Sequence, residues 1–124
     1  MKIKYGQLNG VVEAVGVLRK QEQDFATARK LLDVCEALKK EESFFRDQVN
    51  NLIKKYAKQD ADGKPEMSED GKSYMLADPE AFAGKLNELA ETETGNIPKL
   101  KSSLLKQFKM SAEQLESLLL ITED

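Results

Sequence analysis

Histidine and tryptophan are absent from this chain, and cysteine occurs once. Without histidine there is no ordinary general base near neutral pH and no imidazole to hold a metal, so Ser-His-Asp and Cys-His mechanisms are excluded. A structural zinc site needs four Cys, His or carboxylate ligands in suitable geometry, and one thiol with no imidazole does not supply it. The same lone cysteine excludes an internal disulfide. No glycine-rich loop of the G-x-x-x-x-G-K-S/T or G-x-G-x-x-G type is present, so nucleotides have no cradle. We therefore expect no catalytic residues, no cofactor-binding residues, no cofactor and no metal. Long apolar runs are missing too. No segment approaches the ~18 residues of a membrane span, and the opening MKIKYGQLNG lacks the apolar stretch of a signal peptide. The expected protein is cytoplasmic, with no membrane partner. Charge of one sign does not dominate: 22 acidic and 19 basic residues, net −3, are interleaved. No sizeable basic face for a phosphate backbone is evident, so nucleic acid is not an expected partner.

What is present suits a single helix-rich domain over residues 1–124. An apolar fraction of 40% beside 33% charged residues is that of a folded chain. The expected class is mainly α with minor β: a long helical hairpin with a β-hairpin at its bend, short edge strands and a short C-terminal helix. MKIKY alternates apolar and basic residues, placing Met1, Ile3 and Tyr5 on one face of a short strand. Leu8, Val11, Val12, Val15 and Leu18 follow helical spacing from Gln7 to about Arg19. Gly10 and Gly16 each cost that helix about 1 kcal/mol against Ala, so its stability must come from packing.

The dominant element is a helix from Asp24, its cap, to about Ala57, without Gly or Pro. Leu31, Leu38, Phe45 and Leu52 recur at seven, with Cys35, Val49 and Tyr56 as a second row, the spacing of a helix that keeps one seam toward a partner. Residues 58–78 form a turn-rich tip, with Asp62-Gly63 and Asp70-Gly71 as turns and short strands at Lys64–Met67 and Ser73–Leu76. Asp78-Pro79-Glu80 starts the return helix, 79–94, with Phe82, Leu86 and Leu89 as its stripe. Ile97–Leu100 is a short extended stretch placed beside the N-terminal strand. Ser111 caps a last helix carrying Leu115, Leu118 and Leu119. The return helix covers less than half of the long one, so the remaining seam is covered either by the helix from Gln7 to Arg19 or by a second protomer in a homodimer.

Few residues invite a functional reading. Cys35, in an apolar row, is expected as a small hydrophobe. Asp60, Asp62, Glu69 and Asp70 resemble a calcium loop in composition, but Lys58 stands at its first position and Pro65 interrupts it, so a solvated turn is expected. Lys54, Lys55 and Lys58 complement the negative end of the long helix. Phe44 points away from the seam if Phe45 faces it, and either packs on another helix or anchors a partner. Phe44, Leu118, Leu120 and Ile121 are the candidate protein-binding residues.

The order of parts also resembles a known family. An MKIK strand leading into LNG, a charged helix ending LIKKYAKQDADGKP, then EDGKSYMLADPEAFAGKLNEL and SAEQLESL, is similar to a domain family of unknown function found among small proteins of tailed phages and prophages. The resemblance spans nearly the whole chain and carries no catalytic signature. It implies a phage-encoded product from the neighbourhood of tail and lysis genes, residing in the host bacterial cytoplasm or the virion. In outline the hairpin also looks like a prefoldin subunit. The expected function is a non-enzymatic accessory protein that binds a phage structural protein in virion or tail assembly; the alternative is a host-directed factor that binds and modulates a bacterial protein.

Overall fold

The structure is a computed structural model, which describes residues 2–59, 61, 63–64 and 76–123. Among these residues five helices and two very short strands follow one another as α1 (Tyr5–Arg19), α2 (Phe25–Tyr56), α3 (Pro79–Glu91), β1 (Leu100–Lys101), α4 (Ser102–Leu105), α5 (Ala112–Leu119) and β2 (Thr122–Glu123). The class is mainly α with minor β, as expected, and the caps are those the sequence announces. Asp24 Oδ1 accepts from Thr27 N at 2.8 Å to open α2. Asp78 Oδ1 accepts from Ala81 N at 3.1 Å, with Pro79 in the first turn of α3. Ser111 and Gln114 exchange side-chain to backbone bonds at 3.1 and 2.8 Å to open α5. These bonds satisfy N–H groups that a helix leaves without internal partners.

Helix α1 is the hub, packing against α2, α3 and α5. Its buried face, Leu8, Val11, Ala14, Val15 and Leu18, meets Leu31, Val34 and Leu38 of α2 and is closed by Ile97, Leu100, Leu105, Phe108, Leu118 and Ile121. The glycines that weaken α1 as an isolated helix serve this packing. A Cβ at Gly10 would stand 3.1 Å from Ser117 Oγ of α5, and one at Gly6 would stand 3.3 Å from the Ala90 carbonyl of α3. A side chain at either position would make its neighbour give way by a few tenths of an ångström.

Helix α2, about 48 Å long at 1.5 Å per residue, has two unlike halves. Over its first half the buried row is Thr27, Leu31, Val34 and Leu38. Val34, not Cys35, holds the second row, because α1 lies against the side where Val34 projects; Cys35 is half-buried at the edge, its Sγ accepting from an Arg19 N–H at 3.2 Å. Over the second half, past the Tyr5 ring that stacks on Phe45, α3 is the helix that packs alongside among the described residues. Phe45, Val49, Leu52, Ile53 and Tyr56 are half-buried, and so are Phe82, Leu86 and Leu89 of α3. A lone helix pair shields one stripe on each member and leaves the flanks wet. Tyr56 meets Phe82 edge-on, with ring centroids 6.3 Å apart.

Two strand expectations change. The N-terminal arm does put Ile3 and Tyr5 on one buried side. It pairs, however, with the segment after α3: Lys4 bridges Glu93 in antiparallel fashion, Thr94 N donates to Ile3 O at 2.7 Å and Tyr5 N to Thr92 O at 3.0 Å. Those bonds hold Thr92 and Thr94 extended, so α3 stops at Glu91, short of the expected end. The stretch before α4 lies elsewhere. Leu100–Lys101 pairs in parallel with Thr122–Glu123, because Leu100 N finds Ile121 O at 2.8 Å. Of the tip, the base is visible: Ala57 bridges Leu76, and Ala77 N donates to Tyr56 O at 2.8 Å. The turn at Asp70-Gly71 and most of the two expected strands lie outside the described residues.

Candidate protein-binding site

Helices α4 and α5 are short and joined by residues 106–111, and the way each divides its leucines makes a groove. In α5 a step of one residue turns a side chain by about 100°. Leu118 therefore faces the core with no exposure, whereas Leu115 and Leu119, four apart on the adjoining face, are 39% and 54% exposed. Opposite them, Leu105 and Phe108 are seated in the core and show one edge, and Met110 packs partly against it. Together with Ser102, Lys106 and Lys109 these residues line a groove of about 450 Å³. It falls within the usual size of a binding cleft.

The groove is tethered at its basic rim. Gln21, in the turn between α1 and α2, grips the backbone of Lys109 twice: its Nε2 donates to Lys109 O at 2.6 Å, and Lys109 N donates to its Oε1 at 3.0 Å. This ties the 106–110 connection, and with it the Phe108 side of the groove, to the turn between α1 and α2.

The residues singled out from the sequence fall in different places. Leu118 and Ile121 are wholly buried and cannot be contact residues of the folded chain; α5 and the β2 strand turn them onto α1 and Leu100. Leu120 is half-buried and lines a separate, polar hollow with Gly6, Gln7 and Gly10. Phe44 is 49% exposed on α2, its other side tilted against the Tyr5 ring at 6.0 Å, so it is both packed and accessible. These four residues do not form one surface. Sequence reasoning missed Leu105, Phe108, Met110, Leu115 and Leu119 as a set. The available signal was the run Leu118–Ile121, four consecutive apolar residues that no helix can keep on one face.

Shifted protonation occurs at the joints of the fold. Burial, reinforced by the hydrogen bond from Tyr5 to Glu41, pushes the Tyr5 hydroxyl up to about 12. Tyr5 OH donates to Glu41 Oε2 at 2.6 Å and Gly95 N donates to Glu41 Oε1 at 3.2 Å, so one carboxylate ties α1 and the loop after α3 to α2. The backbone N–H of Thr27 holds the Asp24 carboxyl low, and an ion pair with Glu91 raises Lys4. Among the described residues no three His, Cys, Asp or Glu side chains gather as a metal site would require. The acidic residues Asp60, Asp62, Glu69 and Asp70 of the tip lie outside the described residues. No helix among the described residues is long and apolar enough to cross a membrane. Comparison of the chain with protein-family models, with curated proteins and with solved structures gives no match in any of the three.

Proposed function

We propose that this chain is a non-enzymatic accessory protein that binds another protein at the groove between α4 and α5, and that it does so in the assembly of a phage virion, at the tail. The observation that carries the binding role is the pair Leu115 and Leu119, exposed beside Leu105, Phe108 and Met110 in one groove. Apolar side chains gathered in a concave site gain free energy when a partner removes them from water, on the order of 25 cal/mol per Å². The phage setting rests on the resemblance of the sequence to small tailed-phage proteins. The chemistry agrees with a binding role, since the chain has no histidine and its one thiol is half-buried beside Arg19.

The test compares tagged wild-type chain with the Leu115→Asp, Leu119→Asp double variant in an induced lysogen, with bound proteins and purified virions both read by mass spectrometry. A virion structural protein retained by the wild type and lost by the variant is the expected result. Retention of the same protein by both would remove the groove from the account. Groove-dependent capture of one bacterial protein, with no virion protein, would replace assembly by action on the host.

A further inference from the structure

We infer that the occupant of this groove is an amphipathic helix with acidic flanks, an inference that rests on the groove being the binding site. The apolar part of the argument is geometric. Two short helical walls present Leu105 and Phe108 against Leu115 and Leu119, with Met110 at one end. A partner helix offering apolar residues at i, i+3, i+4 and i+7 presents a stripe that such a trough accepts.

The charge is set by the sequence around it. From Thr94 to Ala112 the chain carries Lys99, Lys101, Lys106 and Lys109 and no Asp or Glu. Among the described residues Lys101, Lys106 and Lys109 have no carboxylate within 4.0 Å, and Lys99 reaches Glu123 only at 3.9 Å. The acids of α5, Glu113 and Glu116, line hollows shared with Gly10 and Ser117 and not the groove itself. Beyond Ser102 lies a second hollow, of about 390 Å³, where Lys30 joins Lys99 and Lys101 around the single carboxylate of Glu123. A chain with net charge −3 thus lines its apolar groove with two lysines, Lys106 and Lys109, and no acid. Glu or Asp on the flanks of a docked helix complements those lysines, while Lys or Arg there meets like charge. Leucine walls give a phosphate backbone no partner, which favours a protein over a nucleic acid.

The experiment is fluorescence polarisation with the full chain and a panel of labelled probes. One is a helix-forming peptide with Leu at i, i+3, i+4 and i+7 and Glu elsewhere on its exposed faces. The others are its isomer with Lys for Glu, its analogue with Ser for Leu, and single-stranded and duplex DNA. The proteins are wild type, Leu119→Asp, the pair Lys106→Glu and Lys109→Glu, and a control pair on α2, Lys39→Glu and Lys40→Glu, each checked for folding by its melting curve. The acidic amphipathic peptide is expected to bind about tenfold more tightly than its basic isomer and to lose about tenfold on reversal of Lys106 and Lys109, with no more than about a twofold change for the control pair. Equal binding of the two isomers, lost in Leu119→Asp, would overturn the acidic occupant and leave the groove standing. Binding of the acidic peptide that survives Leu119→Asp would overturn the groove itself. DNA or the Ser analogue bound as tightly as the Leu peptide would mark a polyanion surface. Failure of the acidic peptide to bind the wild type would reject this occupant.

Discussion

Two adjacent leucines should separate stability from binding. Leu118 has no exposure and Leu119 is 54% exposed, although they are neighbours on α5. Leu118→Ala removes buried methyl and methylene groups from a site walled by α1 and Leu100, and leaves a cavity. Such truncations cost about 2–5 kcal/mol, so a loss of about 3 kcal/mol is expected. With an unfolding entropy of about 2.1 cal/mol/K per residue, a chain of 124 residues changes by about 0.26 kcal/mol per degree at its midpoint, and the Tm should fall by about 10 °C. Leu119→Ala removes the same atoms from a place already half in water and should cost no more than about 0.5 kcal/mol, a Tm change of about 2 °C. In peptide binding the order reverses, with Leu119→Ala weakening the complex and Leu118→Ala, measured below its midpoint, nearly unchanged. Thermal melts by circular dichroism with parallel urea titrations read the first half, and fluorescence polarisation reads the second. A Tm lowered as much by Leu119→Ala as by Leu118→Ala would show that α5 is not rotated as described, and the groove would have no basis.

Gly16→Ala should raise stability by about 0.5–1 kcal/mol in urea melts, since a Cβ there meets no atom within 4 Å and the helix interior favours Ala; a destabilised variant would show that α1 is not helical at Gly16 in solution. Tyr5 supplies a pH test. Its pKa rises from 10.0 unfolded to about 12 folded, so its stabilising effect is complete below pH 10 and disappears as the pH climbs through about 12. Wild type should therefore exceed Tyr5→Phe by about 1–2 kcal/mol at pH 8 and lose that margin by the upper end of the window; a margin independent of pH would mean that Tyr5 is neither buried nor bonded to Glu41 in solution. Light scattering should give a mass near 13.9 kDa, because α1 and α3 between them cover the seam of α2 within one chain. Twice that mass would assign the half-buried flank of Phe45, Leu52, Phe82 and Leu86 to a second copy.

The elements set by local chemistry were legible in the sequence. Asp24, Asp78 and Ser111 announce their helices because a cap is a bond between near neighbours, and Leu31 and Leu38 mark the buried face of α2. What depends on partners distant in the chain was not. A seven-residue repeat makes Cys35 and Val34 nearly equivalent, and the direction from which α1 approaches decides for Val34. The arm around Ile3 pairs with Thr94 rather than with the stretch before Leu100, a choice among backbones that hydropathy does not encode. The site was hidden for the same reason. Leu118, Leu119, Leu120 and Ile121 are equally apolar, and the packing of α5 on α1 buries Leu118 and leaves Leu119 outward. The lysines at 99, 101, 106 and 109 look balanced in a composition of interleaved charge. Lys106 and Lys109 stand out once Glu113 and Glu116 of α5 are seen to line hollows with Gly10 and not the groove.

The central claim is that a protein docks between α4 and α5, and site-specific photo-crosslinking in producing cells tests it directly. With a benzophenone amino acid replacing Leu119, and Leu32 of α2 as an exposed control, the account predicts one discrete adduct at position 119 and none at position 32. The crosslinked segment of the partner should be an acid-flanked amphipathic helix. No adduct at 119, or adducts of equal yield at both positions, would contradict it.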